Sequence, residues 1–130
     1  MNTKMVLSIA IALAGLTLGP VLAAGMAPAK IGSTAKGSTL VDAKGMTLYT
    51  FAKDTKGKSN CNGKCAANWP ALKADADAKP GHGYTVVKRG DGSMQWAYKG
   101  KPLYTWIKDA KPGDITGDGL LKGAWHVAQP

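Results

Sequence analysis

Apolar residues are distributed along this chain in two different ways. A charge-free run rich in Ala, Leu and Ile covers Met5 to Gly19, whereas the rest of the chain has short apolar segments separated by Gly, Asp and Lys. Alternation of apolar and polar residues over such short segments is typical of β-strands with one buried face. Only Cys65 to Leu72 could hold a short helical turn. The pattern therefore predicts an all-β fold with long loops.

The predicted strands form hairpins, and glycines mark their turns. In the first half of the chain, Leu40–Val41 and Met46 to Phe51 flank a turn at Asp42 to Gly45. A glycine in such a turn accepts the positive φ that the turn requires. The remaining predicted strands are Tyr84 to Arg89, Met94 to Tyr98, Leu103 to Ile107 and Ala124 to Ala128, with a connector between the halves at Ala74 to Gly83.

The first 24 residues have the features of a secretory signal peptide. Lys4 supplies a positive charge before the apolar run, Pro20 breaks that run, and small residues follow at Ala23 and Ala24. The run is shorter than the roughly 20 apolar residues needed to span a bilayer. We therefore predict that residues 1–24 are removed, that residues 25–130 form a single secreted domain, and that no transmembrane segment remains after cleavage.

The chain carries an internal repeat at an offset of 55 residues. Gly37 to Asp54 aligns without gaps to Gly92 to Asp109, and nine of the eighteen pairs are identical. One extra residue later, Trp69 falls opposite Trp125. Two copies are too few for a solenoid. We therefore expect two hairpin-plus-strand repeats, about 37–73 and 92–128, packed into one small sandwich- or barrel-like domain.

Each repeat contains one copy of a short motif. Tyr49-Thr-Phe51-Ala-Lys-Asp54 and Tyr104-Thr-Trp106-Ile-Lys-Asp109 both fit the pattern Y-x-(F/W/Y)-x-x-D. With this motif and the pair Cys61 and Cys65, the chain resembles a bacterial family of secreted repeats, many of whose members are predicted lipoproteins. The resemblance covers about residues 37–128 and implies export without implying a chemistry. The lipidated cysteine of the lipoprotein members is missing here, which favours a free periplasmic protein.

The motif residues allow two interpretations. Tyr49 and Phe51 are two residues apart, so they share one face of a strand, as do Tyr104 and Trp106, whereas Leu48 and Leu103 face the other way. In a structural role the aromatic rings are part of the core, the tyrosine hydroxyls bond to backbone, and Asp54 and Asp109 accept backbone N–H groups in turns. In a binding role the four rings form an exposed face that contacts a ligand.

Cys61 and Cys65 are the only cysteines, and both lie in the predicted mature chain. In an oxidising compartment such a pair forms a disulfide, and one tight turn brings the two positions within bridging distance. The alternative is a reduced pair that binds Cu(I), a metal that soft thiolates favour, with His82 and His126 as further ligands. We expect the disulfide and keep copper binding as the alternative.

The chain is basic and lacks recognisable catalytic motifs. It has 17 Lys and Arg residues against 8 acids, all of them Asp, and a formal net charge of +9. The lysines either keep the surface soluble and protect edge strands from self-pairing, or they attract an anionic envelope component or protein. An exported chain is not expected to bind nucleic acid. The lysines are spread along the sequence without a compact cluster. We therefore predict a non-catalytic envelope binding protein without a cofactor, with a copper-binding or electron-transfer protein as the alternative.

Overall fold

The computed structural model describes residues 27–130, so the predicted signal peptide, residues 1–24, lies outside the described part of the chain. Short antiparallel strands dominate this part, which confirms the predicted all-β class. The strands are β1 (Lys30–Thr34), β2 (Gly37–Val41), β3 (Tyr49–Phe51), β4 (Tyr84–Lys88), β5 (Met94–Tyr98), β6 (Lys101–Pro102) and β7 (Trp125–Val127).

In the described part of the chain, two short helices interrupt the strands. Helix α1 (Lys64–Asn68) begins one residue before the stretch Cys65 to Leu72, for which a helical turn was expected, and α2 (Leu120–Gly123) directly precedes β7. Leu121 and Lys122 have left-handed backbone angles, so α2 is not a regular helix. None of the helices in residues 27–130 is long and apolar enough to cross a membrane.

The strands form three small antiparallel sheets. Strand β1 pairs with β2, β3 pairs with β7, and β4, β5 and β6 form a three-stranded sheet in that order. Pairing of β3 with β7 joins the first repeat to the end of the second, with Thr50 opposite His126. Across residues 27–130 these sheets do not close into a barrel.

The two repeats meet through a reciprocal set of backbone hydrogen bonds. The Tyr49 N–H donates to the Tyr104 carbonyl at 2.8 Å, and the Tyr104 N–H donates to the Tyr49 carbonyl at 3.0 Å. The same relation recurs farther out, where the Ala128 N–H donates to the Leu48 carbonyl and the Leu72 N–H donates to the Leu103 carbonyl. The two repeats are therefore related by an approximate twofold rotation, whose axis passes between the two tyrosines.

Two separate groups of buried apolar residues lie on opposite faces of the central strands. An aromatic core contains both motif tyrosines and two tryptophans, and a second core contains Leu48 and Leu103. Side chains alternate along a strand, so each Leu–Tyr pair contributes one side chain to each core. The predicted division of these residues between two faces is confirmed.

The strands differ in extent from the predicted ones. The strand expected over Leu103 to Ile107 is replaced by β6 and isolated bridges at Tyr104. Regular pairing ends there because Trp106 turns back into the aromatic core, and the Asp109 N–H donates to its carbonyl. Strand β1 was not predicted, since its sequence has one large apolar residue, Ile31, which is exposed.

Candidate functional site

The motif tyrosine of each repeat is hydrogen-bonded to the motif aspartate of the other repeat. The Tyr49 hydroxyl donates to Asp109 Oδ2 at 2.7 Å, and the Tyr104 hydroxyl donates to Asp54 Oδ2 at 2.6 Å. Both tyrosines are fully buried. The structural role expected for the motif assigned these hydroxyls to backbone partners. Both hydroxyls donate to carboxylates, because the docked repeats bring each hydroxyl to the opposite aspartate, and the Tyr49 hydroxyl also accepts the backbone N–H of Gly117 at 3.2 Å.

The second carboxylate oxygen of each aspartate holds the loop that follows its own motif. Asp54 Oδ1 accepts the Asn60 N–H at 2.6 Å, and Asp109 Oδ1 accepts the Thr116 N–H at 2.9 Å and the Thr116 hydroxyl at 2.6 Å. Each aspartate therefore connects one loop to the tyrosine of the other repeat.

Burial affects the protonation of both tyrosines and of Asp54. It raises the pKa of both Tyr49 and Tyr104, and the hydrogen bond that each donates to a carboxylate raises the pKa further. Burial also raises the pKa of Asp54, against the opposing effects of the Tyr104 hydroxyl, the Asn60 N–H and the charge of Arg89. The tyrosines are therefore protonated donors at neutral pH.

Four aromatic rings from both repeats form a continuous stack. Their order is Phe51, Trp125, Trp69 and Trp106, and neighbouring ring centroids are 4.2, 3.8 and 4.2 Å apart. The two central indole rings are almost parallel, at an interplanar angle of 2°. The Trp125 indole N–H has no hydrogen-bond partner among the described residues. Ring packing must therefore outweigh the loss of that bond.

The motif tyrosines pack edge-on against the same stack. Tyr49 contacts Trp69 at a centroid distance of 5.2 Å, and Tyr104 contacts Trp125 at 5.0 Å. Of the four motif rings proposed as an exposed binding face, Tyr49, Tyr104 and Phe51 are buried and Trp106 is half-buried. The rings therefore form the aromatic core and do not present a flat face to a ligand.

A buried arginine completes the hydrogen bonding on one side of this core. Arg89 Nη1 donates to Ser59 Oγ at 3.0 Å and to Gln95 Oε1 at 2.6 Å. Ser59 Oγ lies 2.6 Å from the Tyr104 hydroxyl, so a chain of hydrogen bonds runs from the guanidinium through two hydroxyls to Asp54. Sequence reasoning missed this residue. The sequence did contain an indication, because Arg89 is the single arginine in a chain with 16 lysines. A guanidinium group suits buried positions where it donates several hydrogen bonds.

The two cysteines form the expected disulfide. Cys61 and Cys65 are joined with a Cα–Cα distance of 5.2 Å, and the bond fixes the start of α1. Cys61 is fully buried within the aromatic core. The disulfide therefore closes the loop that follows the first motif.

The described residues do not provide a set of ligands for copper, the alternative considered for the cysteine pair. A disulfide offers no thiolate, His82 lies in the exposed connector, and His126 lies on β7. Within residues 27–130 no three His, Cys or Asp side chains lie close enough together to hold a metal ion.

Three lysines and a histidine line a groove on the outer side of β3 and β7, which we call the basic groove. Its volume is about 450 Å³, and a second pocket of about 260 Å³ continues it and shares four of its residues. Phe51 and Pro102 also line the groove, although both side chains are buried. The polar lining residues are Thr50, Asp54, Thr55, Lys56, Lys99, Lys101 and His126.

The fold brings together lysines that are far apart in sequence. The Gly57 N–H donates to the Gly100 carbonyl at 2.9 Å, which fastens the loop after the first motif to the turn between β5 and β6. The stem of Lys56 lies over Gly100, where an added Cβ would be 2.8 Å from Lys56 Cγ. A compact cluster of lysines was not expected from the sequence, because its members come from both repeats.

The groove lysines lack carboxylate partners. The ion pairs among the described residues involve Lys36, Lys111 and His126, and none involves Lys56, Lys99 or Lys101. Asp54 lines the groove, but its carboxylate accepts hydrogen bonds from Tyr104 and Asn60. The groove therefore carries more positive than negative charge, with three lysines and one aspartate in its lining.

The cationic lining is repeated only in part at the equivalent place in the other half, where Lys44 and Lys111 correspond to Lys99 and Lys56 at an offset of 55. At an offset of 55, Lys101 corresponds to Met46, and at the later offset of 56, His126 corresponds to Pro70. Pro112 lies against Gly45 as Lys56 lies over Gly100, and the adjacent Lys111 is paired with Asp114 at 3.0 Å. The duplicated scaffold therefore carries this charge cluster on one side.

Comparison with known proteins places the chain in a family. Searches of the curated proteins and of the solved structures gave no match. A family described as a secreted repeat of unknown function matches residues 30–73 and 85–129. These two segments contain the two motif copies and together cover more than half of the chain. The protein therefore belongs to this family of secreted repeats, and it carries two copies of the repeat.

Proposed function

We propose that this exported protein is a non-catalytic binding protein of the periplasm that holds an anionic envelope component in the basic groove. The observation that carries the proposal is the cluster of Lys56, Lys99 and Lys101 around one groove, without a carboxylate partner for any of them. Positive charges that are not neutralised within a protein raise the local concentration of anionic ligands and their rate of association.

The dimensions of the groove suit this role. Its volume of about 450 Å³ lies within the range of ligand sites, roughly 300–1,000 Å³. The adjoining pocket shares Thr50, Lys99, Lys101 and His126 with the basic groove, so the two form one continuous groove across β3 and β7. A groove of this length accommodates an extended anion with several charged groups better than a single compact ion.

The polar groups of the groove are arranged for binding more than for proton transfer. His126 Nδ1 is 3.8 Å from Asp118 Oδ1, which is longer than a hydrogen bond. That carboxylate oxygen instead accepts the Val127 N–H at 3.0 Å. No hydrogen bond from Asp118 therefore orients the imidazole, and the side chains of His126 and Thr50 are available as hydrogen-bond donors to an anion.

Calorimetric titration with inorganic polyphosphate tests the proposal. The triple variant Lys56→Ala/Lys99→Ala/Lys101→Ala should bind about tenfold or more weakly, since three charge contacts are removed. The matched control is Lys44→Ala/Lys79→Ala/Lys88→Ala, which removes the same charge from exposed positions outside the groove. This control should lose less than about threefold in affinity.

Two results would contradict the proposal. An equal loss of affinity in both triple variants would mean that net charge alone attracts the polyanion. Shortening of the polyphosphate during incubation with the protein would refute the non-catalytic role. Location is tested separately, because a periplasmic protein is released by osmotic shock whereas a protein exported beyond the cell is recovered from the medium.

A further inference from the structure

An exposed apolar tip lies at the end of the aromatic stack that is remote from the basic groove. Leu120 and Leu121 stand between Gly119 and Gly123, and their exposed fractions are 36% and 66%. In residues 27–130 the large apolar side chains with comparable exposure are Ile31 and Ile107. We call Leu120 and Leu121 the leucine tip.

The backbone of this tip is held in a conformation that is unfavourable for leucine. Leu121 and Lys122 have φ values of 54° and 57°, and the flanking Gly119 and Gly123 are also left-handed. Non-glycine residues in this region are uncommon because their Cβ atoms are crowded. Hydrogen bonds fix the turn, with the Gly123 N–H donating to the Gly119 carbonyl at 2.9 Å. An exposed leucine in a strained turn combines two unfavourable features, which is typical of a binding site.

The tip borders a shallow cleft that exposes more apolar surface. Trp106, Trp69, Cys65 and Asn68 form its other walls, and its volume is about 270 Å³. The Ile107 N–H donates to the Asn68 carbonyl at 3.1 Å, which places a further exposed apolar residue beside the cleft. The cleft is open and slightly smaller than the pockets that enclose small ligands.

The charged residues next to these apolar side chains in the sequence are lysines. Lys122 follows Leu121, Lys108 follows Ile107, and Lys64 precedes Cys65, and all three lysines are exposed. None of them belongs to an ion pair among the described residues. Two acids are near these residues along the chain: Asp118 is paired with Lys36 at 3.2 Å, and Asp109 is buried and accepts a hydrogen bond from Tyr49. The surroundings of the tip therefore carry positive charge.

We propose that the leucine tip inserts into the surface of a bilayer that contains anionic lipids. Exposed leucine and isoleucine side chains beside a half-buried tryptophan, flanked by lysines, match the apolar boundary and the negative headgroups of such a surface. Self-association through the tip is disfavoured, because a symmetric interface would place the lysines of two copies against each other. An acyl chain needs no enclosed pocket, and the open cleft suits it.

Co-sedimentation of the exported protein with phosphatidylglycerol-containing vesicles tests this proposal. The variant Leu120→Ser/Leu121→Ser should lower the partition coefficient about tenfold or more. The matched control is Ile31→Ser, since Ile31 has the same exposed fraction as Leu121, 66%, and lies on β1. This control should change partitioning by less than about twofold. Tryptophan fluorescence should shift to the blue with vesicles for the protein and the control, and not for the tip variant.

The vesicle experiment is independent of the basic groove. Binding of polyphosphate should be unchanged in Leu120→Ser/Leu121→Ser, so a failure of one proposal is distinguishable from a failure of the other. Equal loss of vesicle binding in the tip variant and Ile31→Ser would overturn the inference. Equal binding of all proteins to vesicles would overturn it too, as would a dimer that dissociates on substitution of the two leucines.

Discussion

The loops that follow the two motif aspartates occupy equivalent places but are fixed in different ways. In the first loop, residues 55–68, the disulfide between Cys61 and Cys65 closes the turn. In the second loop, residues 110–124, the positions equivalent to these cysteines are Gly117 and Leu121. Gly117 lies directly beneath Trp69, where an added Cβ would be 2.6 Å from the indole ring. The first loop is held by a covalent bond and the second by close packing.

The difference shows which parts of the repeat are needed in both copies. The tyrosine–aspartate hydrogen bonds, the central indole pair and the paired tyrosine backbones occur symmetrically. The basic groove and the leucine tip occur once each. Duplication thus supplied a symmetric centre that carries the stability, and the outer loops diverged into two different surfaces.

The largest effect should come from removal of either central indole. Trp69 and Trp125 are both buried and each stacks on two rings. We expect Trp69→Ala and Trp125→Ala each to lower the free energy of unfolding by about 3–5 kcal/mol, measured by urea unfolding. Trp96 is half-buried and lies outside the stack, so Trp96→Ala should lower the free energy of unfolding by less. A small effect at one of the two positions would contradict the equivalence of the two tryptophans in the symmetric centre.

The exchange of partners between repeats predicts which double-mutant cycles show coupling. Tyr49→Phe with Asp109→Asn, and Tyr104→Phe with Asp54→Asn, should each give a coupling energy of about 1.5–3 kcal/mol, because each removes a buried hydrogen bond to a carboxylate. Equilibrium unfolding of the single and double variants provides these values.

The matched controls are the pairs within one repeat. Tyr49→Phe with Asp54→Asn, and Tyr104→Phe with Asp109→Asn, join residues that share no hydrogen bond. Their effects should add to within about 0.5 kcal/mol. Coupling within a repeat that equalled coupling between repeats would show that the exchange of partners is not what stabilises the centre.

Close packing beneath Trp69 predicts a difference between two glycines. Gly117→Ala should destabilise the protein by about 1–3 kcal/mol, because the new methyl group meets a buried ring that cannot move freely. Gly81 has open space around it and no positive φ, so Gly81→Ala should change stability by less than about 0.5 kcal/mol. Thermal unfolding of the two variants measures both values. Equal stability of the two variants would mean that the second loop can move away from Trp69 without a loss of stability.

The smallest effect concerns the pH dependence of stability. Burial raises the pKa of Asp54, so the folded state binds this proton more tightly than the unfolded state. Its stabilising contribution is complete below the unfolded pKa and is lost as the pH rises through the folded pKa. The stability difference between the protein and Asp54→Asn should therefore fall as the pH is raised from about 3 to about 7. Urea unfolding at several pH values measures this difference.

Asp118 in the second loop provides the opposite case. Desolvation acts to raise its pKa, but the Val127 N–H and Lys36 outweigh that effect, and the pKa is lowered. Its contribution is present above the unfolded pKa and is lost as the pH falls through the folded pKa. For Asp118→Asn the difference from the protein should therefore grow as the pH rises. Slopes of the same sign for the two variants would contradict this assignment.

Local patterns were sufficient to predict much of the fold. Alternation placed Leu48 and Tyr49 on opposite faces, and the spacing of Cys61 and Cys65 allowed the disulfide. The internal match predicted two repeats around a shared centre. Each of these predictions depends on residues that are neighbours in sequence, or on likeness between two segments.

The remaining features depend on how the two halves dock. Tyr49 and Asp109 are 60 residues apart, and no local pattern distinguishes Asp109 from Asp54 as the partner. Lys56 meets Lys99 and Lys101 because a loop of one repeat lies on a turn of the other. These lysines are exposed, as expected for surface lysines, but their grouping depends on tertiary contacts that cannot be predicted from the sequence.

The crossed tyrosine–aspartate bonds have a consequence for a chain that carries one repeat. Such a chain would place its tyrosine hydroxyl and its carboxylate where only another copy could match them. In a symmetric homodimer, residue i of one subunit contacts residue j of the other and the reverse. The present protein has that arrangement within one polypeptide, so its two halves correspond to the subunits of a dimer joined through the connector at residues 74–83. Cleavage in the connector should leave two fragments that recognise each other.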